Sequence, residues 1–129
     1  MSAEKTTFLS TIVESSFELN AYERAKFKDV SNALKLDELT QSNEHLVISP
    51  KGYVVVEIVN SKSDNPNYSN YVIIDKEGNK YVTGSQSFWN AFTDIWSDMQ
   101  EYDGDWEIEV LRKPSKNFKG KDFLTCSLV

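Results

Sequence analysis

From residue 46 onward the apolar and polar positions follow two simple rhythms. Tyr53-Val-Val-Val-Glu-Ile-Val is dense in β-branched residues, and Val54, Val56 and Ile58 alternate onto one face, the period of a pleated strand. Leu46-Val-Ile reads as a short strand before it, ended by Pro50 and Gly52. A polar loop over residues 61–67 leads to a second strand at Tyr71-Val-Ile-Ile. Asp75-Lys-Glu-Gly-Asn predicts a tight hairpin with Gly78 at the positive-φ position, and Lys80-Tyr-Val-Thr a third strand. The period then changes. Phe88, Trp89, Phe92, Ile95, Trp96 and Met99 recur at helical spacing, so residues 85–99 predict an amphipathic helix whose rings read as core. After the Asp103-Gly104 turn, Trp106, Ile108 and Val110 share one face of a fourth strand. In a last strand, 122–129, Leu124, Cys126 and Leu128 point inward.

The first 45 residues are less regular. Phe8, Leu9, Ile12 and Val13 fit a helical stripe, and a second helix is expected from an Asp29 cap through Val30, Ala33 and Leu34. Tyr22 to Phe27 is open to a short strand between them. The organisation expected is a helical or mixed N-terminal extension, 1–45, packed on a barrel formed by 46–129. Three strands, a helix and two strands follow the order of the OB-fold, a Greek-key barrel with a helix between strands three and four. The fold class expected is therefore mainly β (α+β), with a five-stranded OB-like barrel.

Composition narrows the class. The chain has 129 residues, 40% of them hydrophobic and 26% charged, which suits one globular core. The start lacks the basic and apolar regions of a secretory signal, and no run is long enough to span a membrane. The one cysteine, Cys126, cannot form an internal disulfide, so a reducing, cytoplasmic location is expected. His45 has no second histidine or cysteine partner for a zinc site, and Asp103-Gly104-Asp105 lacks calcium-loop spacing. Gly78, Gly84 and Gly104 are isolated turn glycines, not a phosphate loop. The expectation is a protein without catalysis, metal or cofactor.

Charge changes the picture. The net charge is −6, yet Arg112, Lys113, Lys116, Lys119 and Lys121 place five positive and no negative charges in residues 112–121. Asp98, Glu101, Asp103, Asp105, Glu107 and Glu109 form an acidic pole just before them. In an OB-fold, the four–five loop and the one–two loop flank the oligonucleotide lying on strands two and three. The expected single-stranded nucleic-acid site thus joins Arg112, Lys113, Lys116, Phe118, Lys119 and Lys121 to Lys62, Tyr68, Tyr71, Lys80 and Tyr81. Cations would follow phosphates and rings would stack on bases. The bland reading stays beside it: lysines solubilise hairpin tips and protect edges, and strand tyrosines pack across sheets. The alternative function is an acidic module that docks through residues 98–109 on a protein partner and blocks or recruits it. Oligomeric state is open, a homodimer included.

Gly-Ser-Gln-Ser-Phe-Trp-Asn-Ala-Phe (84–92) and Arg-Lys-Pro-Ser-Lys-Asn-Phe-Lys-Gly-Lys-Asp-Phe-Leu-Thr-Cys-Ser-Leu (112–128) resemble segments of small proteins of bacteriophages that infect Gram-positive bacteria. Some of these are similar to OB-fold single-stranded DNA-binding proteins. The resemblance covers roughly residues 46–129. It implies DNA binding in phage replication or recombination, in the host cytoplasm. Bacterial-type single-strand binders carry an acidic recruiting tail; here Val129 ends a strand, so recruitment by such a tail is not expected.

Overall fold

The computed structural model describes residues 8–42, 46–60, 67–115 and 121–129. It is mainly β, with two sheets and three helices among these residues. The strands are β1 Phe8–Ser15, β2 Leu34–Lys35, β3 Leu46–Ile48, β4 Pro50–Asn60, β5 Asn67–Asp75, β6 Lys80–Thr83, β7 Ile108–Pro114 and β8 Asp122–Leu128. The helices are α1 Ala21–Lys28, α2 Leu36–Ser42 and α3 Gln86–Met99. One sheet has the order β1-β4-β5-β6-β2 and the other β3-β7-β8. β3 leads into β4 across Ser49, so a single stretch of chain pairs with β7 at its start and β5 further on.

The expected closed barrel is not formed. The outer edge of β6 pairs in parallel with β2, Leu34 opposite Tyr81 and Lys35 opposite Val82. β8 instead packs against α3, and Ser87 Oγ donates to the Leu124 carbonyl at 2.7 Å. Residues before 46 thus occupy the edge that a closing strand would use.

Both faces of the central strands are buried. Tyr53, Val55, Tyr71, Ile73 and Tyr81 turn toward Phe88, Trp89 and Phe92 of α3 and toward Ile48, Ile108, Val110, Leu124 and Cys126 of the smaller sheet. Val54, Val56, Ile58, Val72, Ile74 and Val82 form a second core on the opposite face, covered by Ile12, Phe17, Leu19, Phe27, Val30, Ala33 and Tyr68. Each fully buried aliphatic or aromatic side chain contributes about 1.5–3 kcal/mol, so closing the second face is a substantial part of the stability.

The N-terminal elements differ from the sequence expectation. Residues 8–15 are a strand, antiparallel to β4 with a bulge between Ile12 and Glu14. Tyr22 to Phe27 lies within a helix, opened by a reciprocal cap in which Asn20 Oδ1 accepts from Glu23 N and Glu23 Oε1 accepts from Asn20 N. Asp29 ends that helix instead of starting one. Phe17 lies so close over Gly52 that any side chain there would collide with its ring, which fixes the glycine. The 75–79 hairpin is as expected, with Gly78 at φ 92°. At the far end Leu128 is 48% exposed, so it lies beyond the core that Leu124 and Cys126 reach. Among the described residues no helix is long and apolar enough to cross a membrane.

Candidate nucleic-acid interface

β7 and β8 form a two-faced ribbon. Alternation turns Ile108, Val110, Leu124 and Cys126 into the core and Leu111, Lys113, Phe123 and Thr125 outward. Lys113 and Phe123 are direct cross-strand partners on that outward face, and Phe123 is 38% exposed. Ser115 N donates to the Lys121 carbonyl at 2.8 Å, extending the ladder, and alternation puts Lys121 on the same face as Phe123. Lys113 and Lys121 are exposed, and neither has an acidic partner among the described residues. Two ammonium groups therefore flank an accessible ring. Such a surface can contact phosphates through the cations and a base through the ring.

The other expected contacts are dispersed. Lys116, Phe118, Lys119 and Lys62 lie outside the described residues, as does His45. Tyr71 and Tyr81 are 7% exposed and face the core below α3, which corrects their expected place in an open strip. Tyr71 stacks on Trp89, with ring centroids 4.7 Å apart, and donates its hydroxyl to Gln86 Oε1 at 2.7 Å. Tyr81 points its hydroxyl at the Asp75 carboxylate, 3.3 Å away; burial and then the charge of Asp75 push the phenol up from its ordinary range. The sequence pattern treated one face of these strands as open. Helix α3 and the smaller sheet close the tyrosine face, and the N-terminal segment closes the other.

Lys80 and Tyr68 lie on that second face. Lys80 Nζ donates to the carbonyls of Lys26 at 2.8 Å and Asp29 at 2.7 Å, tying the end of α1 to the sheet. Burial lowers the Lys80 ammonium below its usual range, more than the neighbouring Asp29 raises it. Tyr68 is half-buried against the second core. Arg112 faces inward on β7: Nε donates to Thr40 Oγ1 at 2.9 Å and Nη2 to the Asp37 carbonyl at 2.8 Å. The Asp37 carboxylate in turn accepts from Thr83 Oγ1 at 2.9 Å, so Arg112 couples β7 to α2 and, through it, β6.

Phe123 was absent from the set read in the sequence. Its signal was present: once Leu124 and Cys126 point inward, Phe123 must point out beside the lysines. The acidic pole is exposed from Gln100 to Asp105, with Tyr102 55% exposed at its centre. Within it Asp105 accepts from Lys76 Nζ at 2.8 Å, which lowers its carboxyl, and Glu107 accepts from Ser49 Oγ at 3.1 Å. Cys126 is buried, and that burial pushes its thiol up to about 12. No protein-family model, curated protein or solved structure matches this chain.

Proposed function

We propose that this chain binds single-stranded nucleic acid, DNA in the first instance, through the outward face of the β7–β8 ribbon and without catalysing a reaction. The observation that carries the reading is the exposed Phe123 paired across the strands with Lys113 and flanked by Lys121. A ring beside free cations is accessible to an unstacked base but has nothing to stack on in an intact duplex. Topology lends support. The β3–β4 stretch pairs with both β5 and β7, and α3 lies between β6 and β7, an OB-like framework opened where β2 takes the edge of β6. The phage replication or recombination role, in the host cytoplasm, is part of the same proposal and follows from the resemblance of segments 84–92 and 112–128. Gel shifts with labelled single- and double-stranded oligonucleotides at low and high salt test it. Single-strand binding that weakens steeply with salt is the expected result; equal or stronger retention of the duplex overturns it.

A second reading has its own observation. The exposed run 100–105, carrying Glu101, Asp103 and Asp105 around Tyr102, suits docking on a basic protein surface. A chain that binds no oligonucleotide at low salt, but forms a complex with a basic partner that Glu101→Lys with Asp103→Lys abolishes, supports this reading over the first.

A further inference from the structure

A small open pocket of about 190 Å³ lies where β2, β5 and β6 meet, lined by Val30, Lys35, Asp37, Asn70, Val82 and Thr83, with Gly84 at its end. We propose that it receives one unstacked nucleobase with an exocyclic amino group beside a ring nitrogen acceptor, as in adenine or cytosine. The inference rests on the nucleic-acid reading above and specifies what that ligand must contain. The volume is below the roughly 300–1,000 Å³ of pockets that enclose whole drug-sized ligands, so it suits a ring system and leaves the sugar and phosphate outside.

The lining has the chemistry of a base site. Val30 and Val82 belong to the second core and offer an apolar floor. The Asn70 side-chain amide has no hydrogen-bond partner among the described residues, and it presents a donor beside an acceptor. That pair matches an amino group next to a ring nitrogen. Asp37 accepts from Thr83 through Oδ2, and its other oxygen, 3.8 Å from Arg112 Nη2, keeps an acceptor position for an amino group. Thymine and uracil can pair with the Asn70 amide through N3–H and a carbonyl. That single N–H replaces the two of an amino group, so either Asn70 Oδ1 or the Asp37 carboxylate is left unpaired, which disfavours both bases. Lys35 is exposed at the rim, where a phosphate attached to the seated base would lie. Tyr68 is half-buried two residues from Asn70 on the same strand face, a ring for the neighbouring base.

The pocket is joined to the ribbon. The Asp37 carbonyl accepts from Arg112, which ties the pocket to β7, the strand that carries Lys113 on its other face. A base stacked in a duplex cannot turn into the pocket unless it is first extruded.

The test uses the full chain and a thymidine oligonucleotide of about twelve nucleotides, with or without one central deoxyadenosine or deoxycytidine. The expected result is affinity about tenfold tighter with the amino-bearing base. Asn70→Val is expected to bring that ratio near one while leaving affinity for the all-thymidine strand unchanged. As a readout that needs no variant, the Asn70 side-chain NH₂ resonances of the wild-type protein should shift with the substituted strand and stay in place with the all-thymidine strand. Equal wild-type affinities with unmoved Asn70 resonances overturn the pocket and leave the ribbon reading standing. Absence of binding to every strand overturns the ribbon reading, and the pocket with it.

Discussion

Tyr71 lies flat against Trp89, ring planes 11° from parallel, in the core between β5 and α3. That contact assigns the tyrosine to stability. Tyr71→Ala is expected to cost about 3–5 kcal/mol in urea unfolding, the usual loss for a buried aromatic. Tyr71→Phe, which loses only the hydroxyl bond to Gln86, should cost about 1 kcal/mol. Oligonucleotide affinity of the folded Tyr71→Phe protein should equal that of wild type.

Asp75 anchors the β5–β6 hairpin. The residue is 6% exposed, and its carboxylate accepts from Glu77 N at 2.9 Å, Asn79 N at 2.8 Å and Asn79 Nδ2 at 3.0 Å. Burial alone would raise its carboxyl, but the bonds from Asn79, Glu77 and Tyr81 outweigh it and hold the group below its ordinary 3.8. A carboxylate depressed on folding adds stability above its unfolded value, and that stability is lost as pH falls through the folded value. Unfolding free energy should therefore decline below about pH 4. Asp75→Asn should lower stability at neutral pH and flatten that acid slope, as measured by urea denaturation across pH.

How much of this was legible from the residues depends on whether the period was local. Strands β4 to β6, the 75–79 hairpin and α3 follow from alternation, a positive-φ glycine and an i, i+3, i+4 stripe, and the structure keeps all of them. The residues of β1 read as a helix because Leu9 and Val13 are apolar although 58% and 54% exposed, so that, added to the inward Ile12, they mimic helical spacing instead of alternation. α1 was missed because it buries no residue fully, so it lacks an apolar stripe; its Asn20–Glu23 cap was the available signal. The direction of Tyr71 and Tyr81 is non-local. It depends on Phe17 to Ala33 covering the opposite face, and on a two-residue parallel pairing at the edge of β6. Of the site, the basic ribbon was legible as charge, whereas Arg112's inward turn toward Thr40 and Asp37 was not.

Arg112 separates structural from binding roles on adjacent residues. Arg112→Gln removes the guanidinium that satisfies Thr40 Oγ1 and the Asp37 carbonyl, and is expected to cost about 1–3 kcal/mol of stability. Lys113→Gln, on the exposed face, should change stability by less than about 0.5 kcal/mol. Thermal and urea unfolding of the two variants should show this contrast.

Cys126 is expected to be inert in the folded protein. With its thiol buried and raised to about 12, almost none is thiolate at neutral pH. A thiol reagent such as DTNB should react at the rate of unfolding in native buffer and rapidly in denaturant. Fast native labelling would contradict the packing of β8.

The most direct measurement of the central claim is the salt dependence of single-strand affinity for wild type, Lys113→Glu and Phe123→Ala, each confirmed folded by thermal melting. For wild type, affinity should fall linearly with salt on logarithmic axes. Lys113→Glu should weaken binding and make the slope shallower by about 0.7 or more. Phe123→Ala should cost about 1–3 kcal/mol while leaving the slope unchanged. If both folded variants keep wild-type affinity and slope, the β7–β8 ribbon is not where nucleic acid binds.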